Sequence, residues 1–263
     1  MTDPLGGCRA KVRWAAQHLE SLYDEVRAFS NSEPKPLRFV QEVDKERSRY
    51  VVRVRIERDP PIEWSLRVGD VVHNLRSALD HLIWQLVLRN GKTPRGTQFP
   101  IFDQRPVKPG DVERWNRMIA GVSDEAERFI AACQPYQGTD GRDAHTLAGI
   151  RDLSNEDKHR VLVSSYTAIQ AAPHLIQIDV IASRDVAQVN TGQVFAGRAL
   201  EDGDPVVEAA ITITGPDPQV QTKADLPLDI GFGGRNIVPL EGLKQMCESV
   251  AGTIREAEIA FFS

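Results

Sequence analysis

The segment VVHNLRSALDHLIWQLVLRN, Val71 to Asn90, constrains the fold most. Val71, Val72, Leu75, Ala78, Leu79, Leu82, Ile83 and Leu86 fall on one stripe at about 100° per residue, which predicts an amphipathic helix. Such a helix must bury that stripe against other elements. Its opposite face is unusual. Between Val71 and Leu88 the only formally charged residues are Arg76 and Asp80, joined by His73 and His81. A solvated face normally carries Lys and Glu, which keep helix propensity and hydrate cheaply. A face of His, Arg, Asp, Ser and Trp suits a covered network or a chemical site.

The flanking pattern predicts more helices and a β-rich block. Helical spacing runs from Cys8 to Ser30. LRFVQEVD and RYVVRVRIER then read as a hairpin. In its second strand Val52, Val54 and Ile56 alternate with Arg53, Arg55 and Glu57, so the Arg-bearing face is expected in solvent. Asp59-Pro60-Pro61 breaks the pattern, and the central helix is expected from about Pro61 to Asn90, with Gly91 as its stop. In the loop that follows, Phe99, Ile101 and Phe102 are expected to pin the chain to the core. Shorter helices are predicted at Asp111–Ala120, at Ser123–Gln134 with Ser123 as N-cap, and around Ala144–His159. From Val161 the pattern turns to strands in VLVSSYTAIQ, HLIQIDVIA, DVAQVNT, VVEAAITIT and PLDIGFG, punctuated as a meander. A helix from about Pro239 to Phe262 closes the chain. The expectation is one α+β domain: a helical bundle (about 8–160 plus 239–263) with a mainly antiparallel β-sheet layer (about 161–234, and a hairpin at about 37–58).

Composition narrows the function classes. A net charge of -5 over 263 residues disfavours a globally basic nucleic-acid binder but allows a local basic patch. Three cysteines, Cys8, Cys133 and Cys247, form no CxxC pair, which argues for a reducing, cytoplasmic setting. Cys133 and Cys247 fall in apolar helical patterns and read as buried, inert thiols. The N-terminal stretch has no signal-peptide apolar run, and no apolar stretch reaches the ~20 residues of a membrane span. No HExxH, GxSxG or P-loop spacing occurs, so neither a metal nor a cofactor is expected. GFGG, Gly231 to Gly234, reads as a turn, and His18, His145 and His174 as surface or turn residues.

On a helical wheel His73, Ser77, Asp80 and Trp84 cluster opposite the apolar stripe, with Arg76 and His81 on either side. Arg76 and Asp80 are i,i+4 neighbours able to pair. Histidine suits acid–base work near neutral pH. A second constellation, SNEDKHRVL, sets Asp157, Lys158, His159 and Arg160 in a row where a helix is expected to give way to a strand. Asp157 can orient His159, and Lys158 or Arg160 can neutralise a phosphate or carboxylate.

HNLRSALDHLIWQLV, QFPIF and LSNEDKHRVL, in this order, resemble a widespread bacterial family that shares LRSALDHL, FPIF-like and DKHR blocks; that resemblance implies no particular activity. Arg76-Ser-Ala-Leu-Asp-His81 also resembles the Arg-x4–6-His motif of the HEPN superfamily of helical ribonucleases and nucleotide-binding domains. This likeness implies a nucleotide or RNA partner, or metal-independent RNA cleavage at a homodimer interface. His81 would then be acid or base and Arg76 the group stabilising the phosphorane-like charge. On one straight helix Arg76 and His81 stand about 140° apart, five steps of about 100°. A hydrolytic site using both therefore needs the second constellation, with Asp80 and His159, or a second subunit. The alternative is a non-enzymatic ligand-binding or interaction protein whose polar helix face is a structural network.

Overall fold

The computed structural model describes residues 3–137, 142–168, 178–190, 193–194, 198–224, 228–234 and 236–263. The fold is α+β, and the chain divides into two compact units. The helical unit takes residues 1–23, 63–162 and 241–263, and the β unit residues 24–62 and 163–240.

Six α-helices are described: α1 Gly6–Ser30, α2 Ile62–Arg89, α3 Pro109–Met118, α4 Asp124–Ala132, α5 Arg142–Asp157 and α6 Leu240–Phe261. Helix α2 buries the expected stripe and also Trp64, Ser65, Val68 and Gly69, about two more turns towards its N-terminus. It ends at Gly91, whose φ of 66° is a left-handed conformation that glycine adopts without strain. Ser123 Oγ accepts the Ala126 N–H at 3.2 Å, the N-cap expected for α4. Helix α1 contributes Cys8, Ala15, Leu19 and Leu22 to the core, and α6 contributes Leu243, Val250 and Ile254 among others. The two ends of α6 are tied to the bundle: Tyr23 Oη donates to Glu241 at 3.0 Å, and Arg9 Nη1 to Glu258 at 2.7 Å.

In the β unit, β1 Leu37–Asp44 and β2 Arg49–Ile56 form the expected antiparallel hairpin. Strand β2 is interior to its sheet and buries Tyr50, Val51, Val52 and Val54. Its arginines are ion-paired rather than simply solvated: Arg49 with Glu208 at 2.6 Å, Arg53 with Glu42 at 3.0 Å and Arg55 with Asp202 at 3.3 Å.

The later strands are β3 Ser164–Ala168, β4 Ile178–Arg184, β5 Val186–Val189, β6 Gln193–Val194, β7 Pro205–Ile213, β8 Gln219–Ala224, β9 Leu228–Phe232 and β10 Val238–Pro239. They pair antiparallel, but the expected meander is wrong. β3 pairs with β9, β4 with β8, and both β5 and β6 with β7, so the pairs are nested. Strand β7 continues the hairpin sheet by pairing with β2. Turn signals mark where strands stop, not which strand lies alongside. GFGG is only half a turn: Gly231 and Phe232 end β9, while Gly233, with φ 104°, makes the turn. His174 and the centre of the QGTDGRD loop lie outside the described residues, as does the side chain of His145.

Candidate functional site

The Arg76–Asp80 pair forms as expected, with Arg76 Nη2 3.0 Å from Asp80 Oδ1. Both side chains also hold the loop after α2. Arg76 Nη2 donates to the Phe99 carbonyl at 2.7 Å, and Asp80 Oδ1 accepts the Phe99 N–H at 2.8 Å. One i,i+4 pair thus satisfies both polar backbone groups of a fully buried residue. From the other side buried Gln134 accepts the Phe102 N–H at 3.0 Å and donates to the Pro100 carbonyl at 2.9 Å. The FPIF loop is therefore fixed at Phe99, Pro100 and Phe102. Burial pulls the Arg76 guanidinium below its ordinary pKa, with Asp80 pulling it back up; arginine keeps its charge under such a shift.

Beside this clamp lies a cavity of about 230 Å³ within the helical unit. Helix α2 contributes His73, Arg76, Ser77 and Asp80, and the loop contributes Gln98. Arg114 enters from α3, Arg151 and Ser154 from α5, and Lys158 from just beyond α5. Four permanent cations thus face one carboxylate, Asp80, which Arg76 already pairs. Arg151 is held at 2.8 Å by Asp103 and at 2.7 Å by Asp152. The Arg114 guanidinium lies 5.4 Å from the centroid of the Phe102 ring. Among the described residues neither Arg114 nor Lys158 has a carboxylate partner. A fixed, cationic, hydroxyl-bearing cavity suits an anion.

The residues singled out in the sequence are divided by this geometry. His73, Arg76, Ser77, Asp80 and Lys158 share the cavity. Asp157 lies against α2, where Gly69 leaves room for it, rather than orienting His159; burial and Asp70 raise its pKa, and His73 lowers it. His159 is exposed and outside the cavity lining, and Arg160 pairs with Glu156 at 3.1 Å. His81 is also outside it, exposed near Gly7 of α1, with its pKa lowered by desolvation and by Lys11. The reason is angular. Arg151, Ser154, Asn155 and Lys158 follow an i, i+3, i+4, i+7 stripe, whereas Asp157, His159 and Arg160 point elsewhere on the wheel. That stripe was the signal for Arg151 and Ser154, and it runs into the four-charge run at Lys158. Arg114 and Gln134 had no comparable signal, because Arg114 reaches the cavity from α3 and Gln134 reaches the FPIF loop from just beyond α4.

Among the described residues no group of three His, Cys, Asp or Glu side chains is arranged to hold a metal ion. Cys8 and Cys247 are buried, and desolvation pushes both thiols up to about 11. Cys133 is only half-buried, because it caps the end of α4 rather than occupying its buried stripe. No described helix is long and apolar enough to cross a membrane. No family model, no curated protein and no solved structure matches the chain.

Proposed function

We propose that this chain is a HEPN-like nucleotide-binding protein whose helical unit holds the phosphate of its ligand in the cavity between α2, α3 and α5. The observation that carries the reading is the imbalance of the lining: Arg76, Arg114, Arg151 and Lys158 against the single, already paired Asp80. In this reading Arg76 and Asp80 brace the wall, and Arg114 and Lys158 meet the ligand. Charge-assisted hydrogen bonds to phosphate contribute about 1.5–3 kcal/mol each. Calorimetric titration of the full chain with adenosine 5′-triphosphate tests it. Binding that weakens steeply with added salt is expected. A wild-type protein that binds no nucleotide at low salt rejects the reading.

Metal-independent RNA cleavage by a homodimer is a second reading, favoured by one observation. His81 is exposed and biased towards its neutral, proton-accepting form. This reading requires His81→Ala to abolish RNA cleavage while leaving thermal stability nearly unchanged. A wild-type chain without nuclease activity would dismiss it and leave the nucleotide-binding reading standing.

A further inference from the structure

We infer that the cavity selects a terminal phosphate group, a phosphate monoester, over an internal phosphodiester. The inference rests on the phosphate-binding reading above and narrows it by size, charge and donor count.

The volume of about 230 Å³ falls below the roughly 300–1,000 Å³ of sites that enclose whole small molecules. Only one end of a nucleotide fits inside, and the charged lining makes that end the phosphate. The charge left over is also specific. Arg76 is paired with Asp80, and Arg151 with Asp103 and Asp152. Arg114 and Lys158 are the two cations of the lining without a carboxylate among the described residues, and they come from separate elements. A phosphate monoester carries about -1.5 to -2 at neutral pH, which two cations neutralise. A diester carries a single charge, so one of the two cations would be left unmatched.

Donor count points the same way. A monoester presents three terminal oxygens and a diester two. Arg114 offers a planar fork, Lys158 an ammonium group, and Ser77 and Ser154 hydroxyls from facing helices. The α2 wall is fixed to the FPIF loop by the Arg76–Asp80 contacts, and α5 is tied to the end of that loop by the Arg151–Asp103 pair. Those two walls therefore need little reorganisation to receive the ligand.

Calorimetric titration of the full chain with adenosine 5′-monophosphate and with the dinucleoside monophosphate ApA tests the inference. Adenosine 5′-monophosphate is expected to bind at least about tenfold more tightly, a difference of about 1.4 kcal/mol. Arg114→Ala and Lys158→Ala, both at exposed side chains, should each weaken the monophosphate at least about fivefold and ApA less. Unchanged melting temperatures serve as the folding control, and Arg114→Lys, which keeps the charge but loses the fork, should fall between. Equal affinity for the two ligands overturns the monoester preference while leaving phosphate binding intact. Absence of binding by either removes both. A 5′-phosphorylated RNA oligomer that displaces the monophosphate, where its 5′-hydroxyl form does not, would identify an RNA end as the source of the group. Failure of both oligomers to compete would assign a free nucleotide.

Discussion

Asp157 sits where the last turn of α5 meets α2, facing Asp70 and His73 and flanked on its own segment by Glu156 and Lys158. Burial raises its pKa first, Asp70 adds to the rise, and His73 opposes it. A carboxyl whose folded pKa lies above its unfolded value stabilises the fold while protonated. That contribution is complete below the unfolded value of 3.8 and is lost as pH rises through the folded value. At neutral pH the ionised group is therefore a net cost. Asp157→Asn should raise stability at pH 7 by a few tenths of a kcal/mol, the scale of partly screened surface electrostatics. The gain should shrink towards zero near pH 3.5. Paired thermal melts at the two pH values check this, and a gain independent of pH would refute it. His81 shows the opposite shift for a base. Desolvation and Lys11 hold its pKa below 6.5. An NMR titration should place its midpoint under that value, and Lys11→Ala should move the midpoint upward.

Elements meet through two contacts that invite substitution. Asp80 joins α2 to the FPIF loop by accepting the buried Phe99 N–H while pairing with Arg76. Asp80→Ala leaves that N–H without its acceptor and a guanidinium that is only 15% exposed without its counter-ion. A loss of about 2–3 kcal/mol is expected, seen as a lower urea midpoint at unchanged slope. The second contact is Gly69. A Cβ there would stand 2.6 Å from Asp157 Oδ1. Gly-to-Ala inside a helix ordinarily gains about 1 kcal/mol, but here Asp157 must move. Gly69→Ala should gain less than that alone, and recover the full gain when combined with Asp157→Ala. Additive effects in this double-mutant cycle would show that the two residues do not touch. These contacts also mark what could be read from the sequence. The helices were legible because each carries its 3.6-residue period and its own stop signals, such as Ser123 and Gly91. The Arg76–Asp80 pair was legible because i,i+4 is a local relation. Its bonds to Phe99 were not, because nothing in the spacing says that a loop 19 residues on returns to that face.

Across the whole molecule, the same distinction separates what is local from what is assembled. The helical unit is built from three stretches of chain and the β unit from two. The nested pairing of β3 with β9 and β4 with β8 joins residues too far apart for local patterns to report. Net charge was equally blind to the cavity: a total of -5 conceals a lining of four cations and one carboxylate. The stripe that supplies Arg151, Ser154 and Lys158 is present in the sequence but overlaps the denser run of charges at Asp157 to Arg160. Assembly from distant segments also bears on stability. Helix α6 arrives last in the sequence, yet buries Leu243, Met246, Val250, Ile254 and Phe261 in the helical unit. It reaches α4 through Phe261, whose ring lies 5.5 Å from that of Phe129, and α2 through Arg89 over Phe262. At about 1.5–3 kcal/mol per large side chain, those five contribute about 7–15 kcal/mol. The whole net stability of a domain is about 5–15 kcal/mol. A chain ending at Pro239 should therefore lose the cooperative unfolding of its helical unit, even though every lining residue of the cationic cavity remains in the sequence. Far-UV circular dichroism should show a helix content well below that expected from deleting α6 alone, and the urea transition should broaden. A truncated chain that kept a single sharp transition would show that α1 to α5 close their core without α6.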